Sequence, residues 1–249
     1  MSTFNIIRLT ETESTNSYAI ELIAKERPAE GSVIRTEFQT KGRGIDSNTW
    51  ESEKGKNLTF SIILYPDFPA EYQFVLNKAI SLGIYDFLSG ELPEHRIAIK
   101  WPNDIYIGDK KACGILIQNS VIGNKLDYVV VGIGLNVNQT HFTSDAPNPV
   151  SMKMVSGKEY DLDDALQKLL QSIFTMYKQV NAGPCLEIEN EYLSALYRLM
   201  EWHDYEVRGS LIRARITGTS AYGQLMLEAE DGNVVACDLK EVKFILRSI

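Results

Sequence analysis

The stretch from Glu37 to Tyr65, EFQTKGRGIDSNTWESEKGKNLTFSIILY, holds the residues best suited to chemistry. Gly42 and Gly44 flank Arg43, and Trp50 and Gly55 follow before an apolar run begins at Asn57. A glycine-rich loop lets backbone N–H groups approach an anion, because no side chain stands in the way. A guanidinium between two such glycines can offer the same anion two parallel donors. An indole close by can cover an apolar or aromatic ligand face. A plain surface loop carrying one ordinary arginine would look the same, so the stretch alone leaves both readings open. A second polar cluster, Ser14-Thr15-Asn16, precedes Ser17–Lys25, where Tyr18, Ala19, Leu22 and Ile23 share a helical face. Ser14 or Thr15 fits as the N-cap of that helix. At a helix N-terminus the same hydroxyls could also line a pocket and bond a polar ligand group.

The elements that must position these residues read as follows. Strands are expected over Phe4–Leu9, Ser32–Glu37 and Asn57–Tyr65, the last two bracketing the glycine loop, and a core helix over Glu71–Leu88. A strand at Ile97–Ile99 runs into Lys100-Trp101-Pro102-Asn103-Asp104, where proline stops the ladder. Trp101 reads as core. Ile105–Ile107 and Lys110–Gln118 form a hairpin around Gly108-Asp109. Leu126–Leu135 ends in Gly132-Ile133-Gly134-Leu135-Asn136-Val137-Asn138, and alternating glycines let another backbone or a ligand come close. Helices over Leu162–Gln179, capped by Asp161, and Leu186–Met200 follow. Beyond Trp202 the pattern changes to period two, with five short strands between Tyr205 and Leu246 that suggest a small barrel. The boundary falls near Trp202–Asp204, which divides the chain into residues 1–203 and 204–249.

Composition narrows the function. The chain has 249 residues, 44% of them apolar, enough for one large unit with a packed core and one small one. A net charge of −8 without any basic block argues against nucleic acid as a partner. Cys113, Cys185 and Cys237 are odd in number and far apart, which fits a reducing compartment. His95, His141 and His203 show no metal-ligand spacing, so no protein-held metal is expected. No signal-type apolar segment opens the chain and no run approaches membrane-spanning length. A soluble, cytoplasmic protein without membrane contacts is expected.

Taken together, four stretches resemble the marks of the biotin–protein ligase family: STN at Ser14–Asn16, QTKGRG at Gln39–Gly44, KWPNDI at Lys100–Ile105 and GIGLNVN at Gly132–Asn138. The segment from Lys111 to Leu116, KACGIL, matches the family's lysine-to-glycine stretch, and Gly218–Leu225 (GTSAYGQL) resembles its small C-terminal domain. The resemblance implies an α+β fold: a mixed, largely antiparallel sheet with helices on its face, of class II synthetase-like type, plus a small SH3-like β-barrel. It implies two reactions. Biotin and ATP, with Mg2+, give biotinyl-5′-AMP and pyrophosphate. A lysine of a biotin carboxyl carrier protein, or of the carrier domain of a biotin-dependent carboxylase, then takes the biotin. Two anions must be held together, which a loop of N–H groups with Arg43 and Lys111 can do. No side-chain nucleophile is required, and no Ser/His or Cys/His constellation is evident.

By the same resemblance Ser14, Thr15, Asn16, Gln39, Gly42, Arg43, Gly44, Lys111 and Gly114 bind biotin. Arg43 and Lys111 are the catalytic cations at the carboxylate and the adenylate phosphate. Arg43, Trp50, Lys100, Asn103, Asp104 and Asn136 lie on, or support, the ATP side. Asp104 also fits as a simple turn cap and Lys100 as a solvated strand-end charge. A homodimer is left open. A lipoate- or octanoate-type ligase and a non-catalytic biotin-binding paralogue stand as alternatives. Only a short strand precedes the STN segment, which resembles the monofunctional ligases more than the repressor-ligases.

One departure matters. After GRG the family continues with arginine or glutamine and then a glycine two positions on, whereas this chain has Ile45-Asp46-Ser47. Isoleucine cannot supply a charge-assisted hydrogen bond to the adenylate phosphate. The double substitution Ile45→Arg with Ser47→Gly is expected to slow release of preformed biotinyl-AMP about ten- to a hundredfold, since ~1.4 kcal/mol is a factor of ten. Stopped-flow or filter-binding dissociation rates check this, and equal rates in both proteins would refute it.

Overall fold

The computed structural model describes residues 4–44, 48–144, 148–180 and 183–245. Ile45, Asp46 and Ser47, on which the departure just noted rests, lie outside the described residues. A seven-stranded sheet organises the molecule. Its strands are β1 (Ile6–Leu9), β2 (Val33–Thr36), β3 (Leu58–Leu64), β4 (Ile97–Lys100), β5 (Asp104–Ile107), β6 (Lys110–Ile122) and β7 (Lys125–Leu135). The spatial order is β1-β2-β3-β7-β6-β5-β4. Only β1 and β2 run parallel; every other pairing is antiparallel, and short turns join β4 to β5, β5 to β6 and β6 to β7.

The central strands β3 and β7 are apolar on both faces because both faces are covered. On one face Phe60, Ile62, Val131 and Ile133 join the main core under α2 (Gln73–Glu91) and α4 (Leu162–Gln179). Asp161 caps α4 by accepting hydrogen bonds from Asp163 and Asp164 N–H, as its position before the apolar stripe predicts. On the other face Ile34, Ile63 and Val130 pack against Ala19 and Ile23 of α1 (Thr15–Glu26). α1 covers only part of that face, and the candidate site lies beyond its N-terminus. A short helix α3 (Met152–Ser156) follows the sheet.

The helix expected over Leu186–Met200 is shorter. α5 ends at Ala195, and Arg198 and Met200 are left-handed (φ 62° and 58°). Tertiary pairing overrides the helical pattern here. Tyr197 N–H donates to Ile99 C=O at 2.9 Å, so the chain leaves α5 along the open edge of β4. That contact covers an edge that would otherwise offer unpaired backbone groups to another chain.

A second, antiparallel sheet then forms from β8 (Trp202–Val207), β9 (Ser210–Thr219), β10 (Leu225–Ala229), β11 (Val234–Cys237) and β12 (Val242–Phe244), in the order β11-β10-β9-β8-β12. Its small size and meander fit an SH3-like domain. Its inner residues, among them Tyr205, Ile216 and Leu227, belong to the same apolar cluster as the first sheet's helices. Trp101 is core, as read from the sequence, and its Nε1 donates to Gly223 C=O at 2.8 Å in the β9–β10 turn. Gly223 itself (φ +88°) abuts the Phe74 ring, where a Cβ would lie 2.5 Å from a ring carbon. Among the described residues no helix is long and apolar enough to cross a membrane.

Trp101→Phe keeps the ring but strands the Gly223 carbonyl. Loss of a buried partner costs about 1–3 kcal/mol, which for a chain of this size is a fall in Tm of roughly 2–4 °C per kcal/mol. Thermal unfolding followed by circular dichroism checks it; an unchanged Tm would show that the bond contributes nothing.

Candidate active site

Residues facing one another across paired strands point to the same side of a sheet. Thr59, Gly134, Gly114, Asp104 and Lys100 are successive partners across β3, β7, β6, β5 and β4, so they form one row on the α1 face. Ser61, Gly132 and Leu116 form the next row. Lys111 does not belong to this face by simple alternation, because it stands three residues from Gly114. The β5–β6 register shifts by one between Ile105 and Tyr106, placing Ile105 opposite Cys113 but Tyr106 opposite Lys111. This bulge sends both Ala112 and Cys113 into the main core, each fully buried, and returns Lys111 to the α1 face. There Lys111 Nζ lies 2.6 Å from Asp104 Oδ1.

The N-terminus of α1 stands over the second row. Ser14 is the N-cap, accepting from Ser17 N–H at 3.5 Å. Thr15 donates to Gln39 Oε1 through its N–H (2.8 Å) and its hydroxyl (3.1 Å). The Ser61 hydroxyl is within reach of Thr15 Oγ1 (2.7 Å) and Asn16 Oδ1 (2.6 Å). Asn16 Nδ2 donates to Leu116 C=O at 3.2 Å and to Gln118 Oε1 at 2.9 Å. Asn16 thus lines the groove while its amide is spent inside the protein. Gly132 makes room for it: a Cβ there would lie 2.3 Å from Asn16 Oδ1.

The glycine loop folds over the first row. Trp50 N–H donates to Gly42 C=O (3.1 Å), Gly44 N–H donates to Asn48 C=O (2.7 Å), and Arg43 bridges to Thr49. A Cβ on Gly42 would meet Trp50 C=O at 2.7 Å, so Gly42 serves the loop's closure. Trp50 lays its indole along the glycine row. A Cβ on Gly134 would lie 2.3 Å from Trp50 Cε2, and one on Gly114 3.1 Å from Trp50 Cζ3. Lys111 Nζ stands 5.8 Å from the indole centre. Trp50 Nε1 is buried without an acceptor among the described residues, an orphan donor inside the groove. Arg43 is exposed and makes no hydrogen bond or ion pair among the described residues.

One groove therefore gathers Ser14, Thr15, Asn16, Gln39, Arg43, Gly44, Trp50, Asn103, Lys111 and Gly114. Asn103 lines it but is tied to β6, its Nδ2 donating to Ile115 C=O. The remaining expected residues stand behind. Asp104 holds Lys111. Asn136 is buried, donating to Val150 C=O at 3.1 Å, with its Oδ1 unpaired among the described residues. Lys100 is on the right face but is capped by the second sheet, its Nζ 4.5 Å from the Phe244 ring centre and 5.8 Å from that of Tyr106. Burial holds the Lys100 ammonium below its ordinary range, against the opposing pull of Asp104. Burial likewise pushes the Cys113 thiol up, so no thiolate nucleophile adjoins the groove. Sequence reading missed Thr59 and Ser61. Their signal was present: two polar residues at period two within the apolar strand LTFSIIL.

A groove that joins a polar helix N-terminus to two cations, Arg43 and Lys111, suits a protein that brings two bound anionic groups together. Residues 8–136 match the model of the biotin/lipoate A/B protein ligase family, and the chain belongs to that family. It is 30% identical to the biotin–[acetyl-CoA-carboxylase] ligase of Paracoccus denitrificans, over 78% of this chain and 81% of that one. It is 29% identical to the bifunctional ligase/repressor BirA of Bacillus subtilis, over 92% of this chain and 67% of the relative. Among solved structures it resembles the biotin protein ligase of Aquifex aeolicus in complex with biotin and ATP, at a TM-score of 0.78 and 27% identity. That likeness covers 96% of this chain and 97% of the other.

Gly134→Ala has no room for its methyl unless the indole moves. In a Trp101→Phe, Trp202→Phe background Trp50 is the one tryptophan left. Its emission is expected to shift to the red as the ring leaves its buried seat, and an unshifted spectrum would contradict the packing described.

Proposed function

We propose that this protein is a biotin–protein ligase. In the first step a biotin carboxylate oxygen attacks the α-phosphorus of ATP and pyrophosphate leaves, giving biotinyl-5′-AMP. In the second the amine of a carrier lysine attacks the acyl carbon and AMP leaves, forming the amide. The carrier is a biotin carboxyl carrier protein or the equivalent domain of a biotin-dependent carboxylase. The observation that carries this reading is the return of Lys111 to the groove face beside Gly114, where a carboxylate and a phosphate can share its charge. Charge that develops on the phosphoryl oxygens then meets a preorganised cation in a partly dry site. Arg43, whose guanidinium has no hydrogen-bond or ion-pair partner among the described residues, supplies the second cation from the glycine loop.

The other residues hold the reactants. Ser14, Thr15 and Gln39 present hydroxyl and amide groups to the ureido end of biotin. Gly114 and Gly134 let the biotin chain lie on the sheet, and Trp50, over the same glycine row, serves the ATP side. Asn103, Asp104, Lys100 and Asn136 brace the nucleotide side without lining it throughout. Magnesium enters with ATP as part of that substrate. Among the described residues no cluster of three His, Cys, Asp or Glu stands ready to hold a metal. Its ligands would be phosphate oxygens and water with one or two carboxylates at most, and the carboxylate beside Lys111 is Asp104. We assign catalysis to residues 1–203 and take 204–249 as a small C-terminal domain, a division supported by the change of sheet at Trp202.

Biotin-dependent exchange of pyrophosphate into ATP tests the reading directly. Exchange with lipoate and none with biotin would overturn it in favour of a lipoate-type ligase. No exchange with either would leave a binding protein. Lys111→Ala is expected to lose about a hundredfold or more in this assay, ~3 kcal/mol of transition-state stabilisation. A near-normal rate would remove Lys111 from its role.

A further inference from the structure

Glu51, directly after Trp50, has a carboxylate whose partners among the described residues are all neutral donors. Its Oε1 accepts from Thr143 N–H at 2.9 Å, from the Thr143 hydroxyl at 3.2 Å and from Gln139 Nε2 at 3.4 Å. Its Oε2 accepts from Ser144 N–H at 2.8 Å. Two consecutive backbone donors on one carboxylate make a directional clamp, because charge-assisted bonds are short and roughly twice as strong as neutral ones. Burial alone would raise this carboxyl, yet the bonds from Ser144 and Thr143 hold it below the usual range. The donors belong to the segment that leaves the end of β7. Gln139, buried, adds a second link to the same stretch by accepting from Glu53 N–H at 2.9 Å. The same segment starts against the Lys111 strand, where Asn136 N–H donates to Ala112 C=O at 2.9 Å, and residues 148–150 pair with Lys111 itself. Lys111 N–H donates to Asn148 C=O at 2.8 Å, and Val150 N–H donates to Lys111 C=O at 2.9 Å.

We propose that Glu51 is a positioning residue for adenylation: its carboxylate fixes the Gln139–Ser144 segment to the Trp50 segment, so that Trp50 and Lys111 are held in one frame. Glu51 itself touches no reacting atom. It acts through the Gln139–Ser144 backbone, which leads back through Asn138 and Asn136 to the strand that carries Lys111. The inference rests on the ligase reading only for the word adenylation; the tether itself is a property of the chain.

The test is Glu51→Gln, which keeps the shape but turns an amide NH2 toward one of the two backbone donors. Amide hydrogen exchange in the unliganded protein is expected to speed up at Thr143 and Ser144 by about tenfold or more. In the biotin-dependent pyrophosphate assay the KM for ATP is expected to rise about tenfold, the loss of one charge-assisted bond. The kcat is expected to fall about three- to tenfold as Lys111 loosens, and the biotin dissociation constant by calorimetry should change less than about threefold; a raised KM for ATP is an effect that general destabilisation does not produce. Unchanged amide exchange at Thr143 and Ser144 would overturn the tether. Loosened amides with an unchanged KM for ATP would overturn its role in positioning. Absence of biotin-dependent pyrophosphate exchange in the wild type would instead overturn the ligase reading and with it the adenylation role, while the amide measurement still decides the tether.

Discussion

Residues an odd number apart in a regular strand face opposite ways, and Lys111 stands three residues from Gly114. The groove needs both on one side, one to give charge and the other to give room. The bulge against Ile105 and Tyr106 reconciles them by letting two neighbours, Ala112 and Cys113, point into the core together. The core makes this possible, because alanine and cysteine are small enough to sit side by side under the helices. A larger residue at either place would press on the main cluster or turn Lys111 away. Asp104 then fixes the lysine's direction from the neighbouring strand. The chemistry of the groove thus depends on a packing event on the opposite face of the sheet.

The rest of the groove is made by subtraction. Gly114 faces Gly134, and Gly132 lies beside them, so three side chains are missing from adjacent strands in the middle of the sheet. The space admits the Asn16 amide at one place and the Trp50 indole at another. A sheet weakened by glycine is held by what lies beneath it, where Ile115, Val131 and Ile133 are among the most completely buried residues. Room on one face is matched by dense packing on the other.

Much of this was legible in the sequence and some was not, for physical reasons. The N-cap at Ser14, the helix at Leu162 and the period-two strands are local, and local propensity and spacing report them well. The motifs identified the groove because glycine, lysine and the Ser-Thr-Asn run carry their chemistry in their types. The bulge was not legible, since register is a relation between strands and period counting sees one strand at a time. For the same reason the sequence did not show how Lys100 and Asn136, expected on or behind the ATP side, are held: Phe244 caps the one and Val150 binds the other. The early end of α5 escaped notice because the pattern from Leu186 to Met200 suits a helix until Tyr197 pairs with β4.

The join between the two sheets bears on how the protein is made. The edge of β4 is covered by the segment after α5, and Trp101 finds its acceptor at Gly223. A ribosome delivers the N-terminal part first. The strands of the first sheet therefore emerge before all of their cover, and until the second sheet follows, Trp101 lacks its Gly223 acceptor. The second sheet is the piece that closes this interval. Its lateness gives every nascent copy a period in which chaperones can engage an almost finished fold, and in which crowding of neighbouring chains is most dangerous.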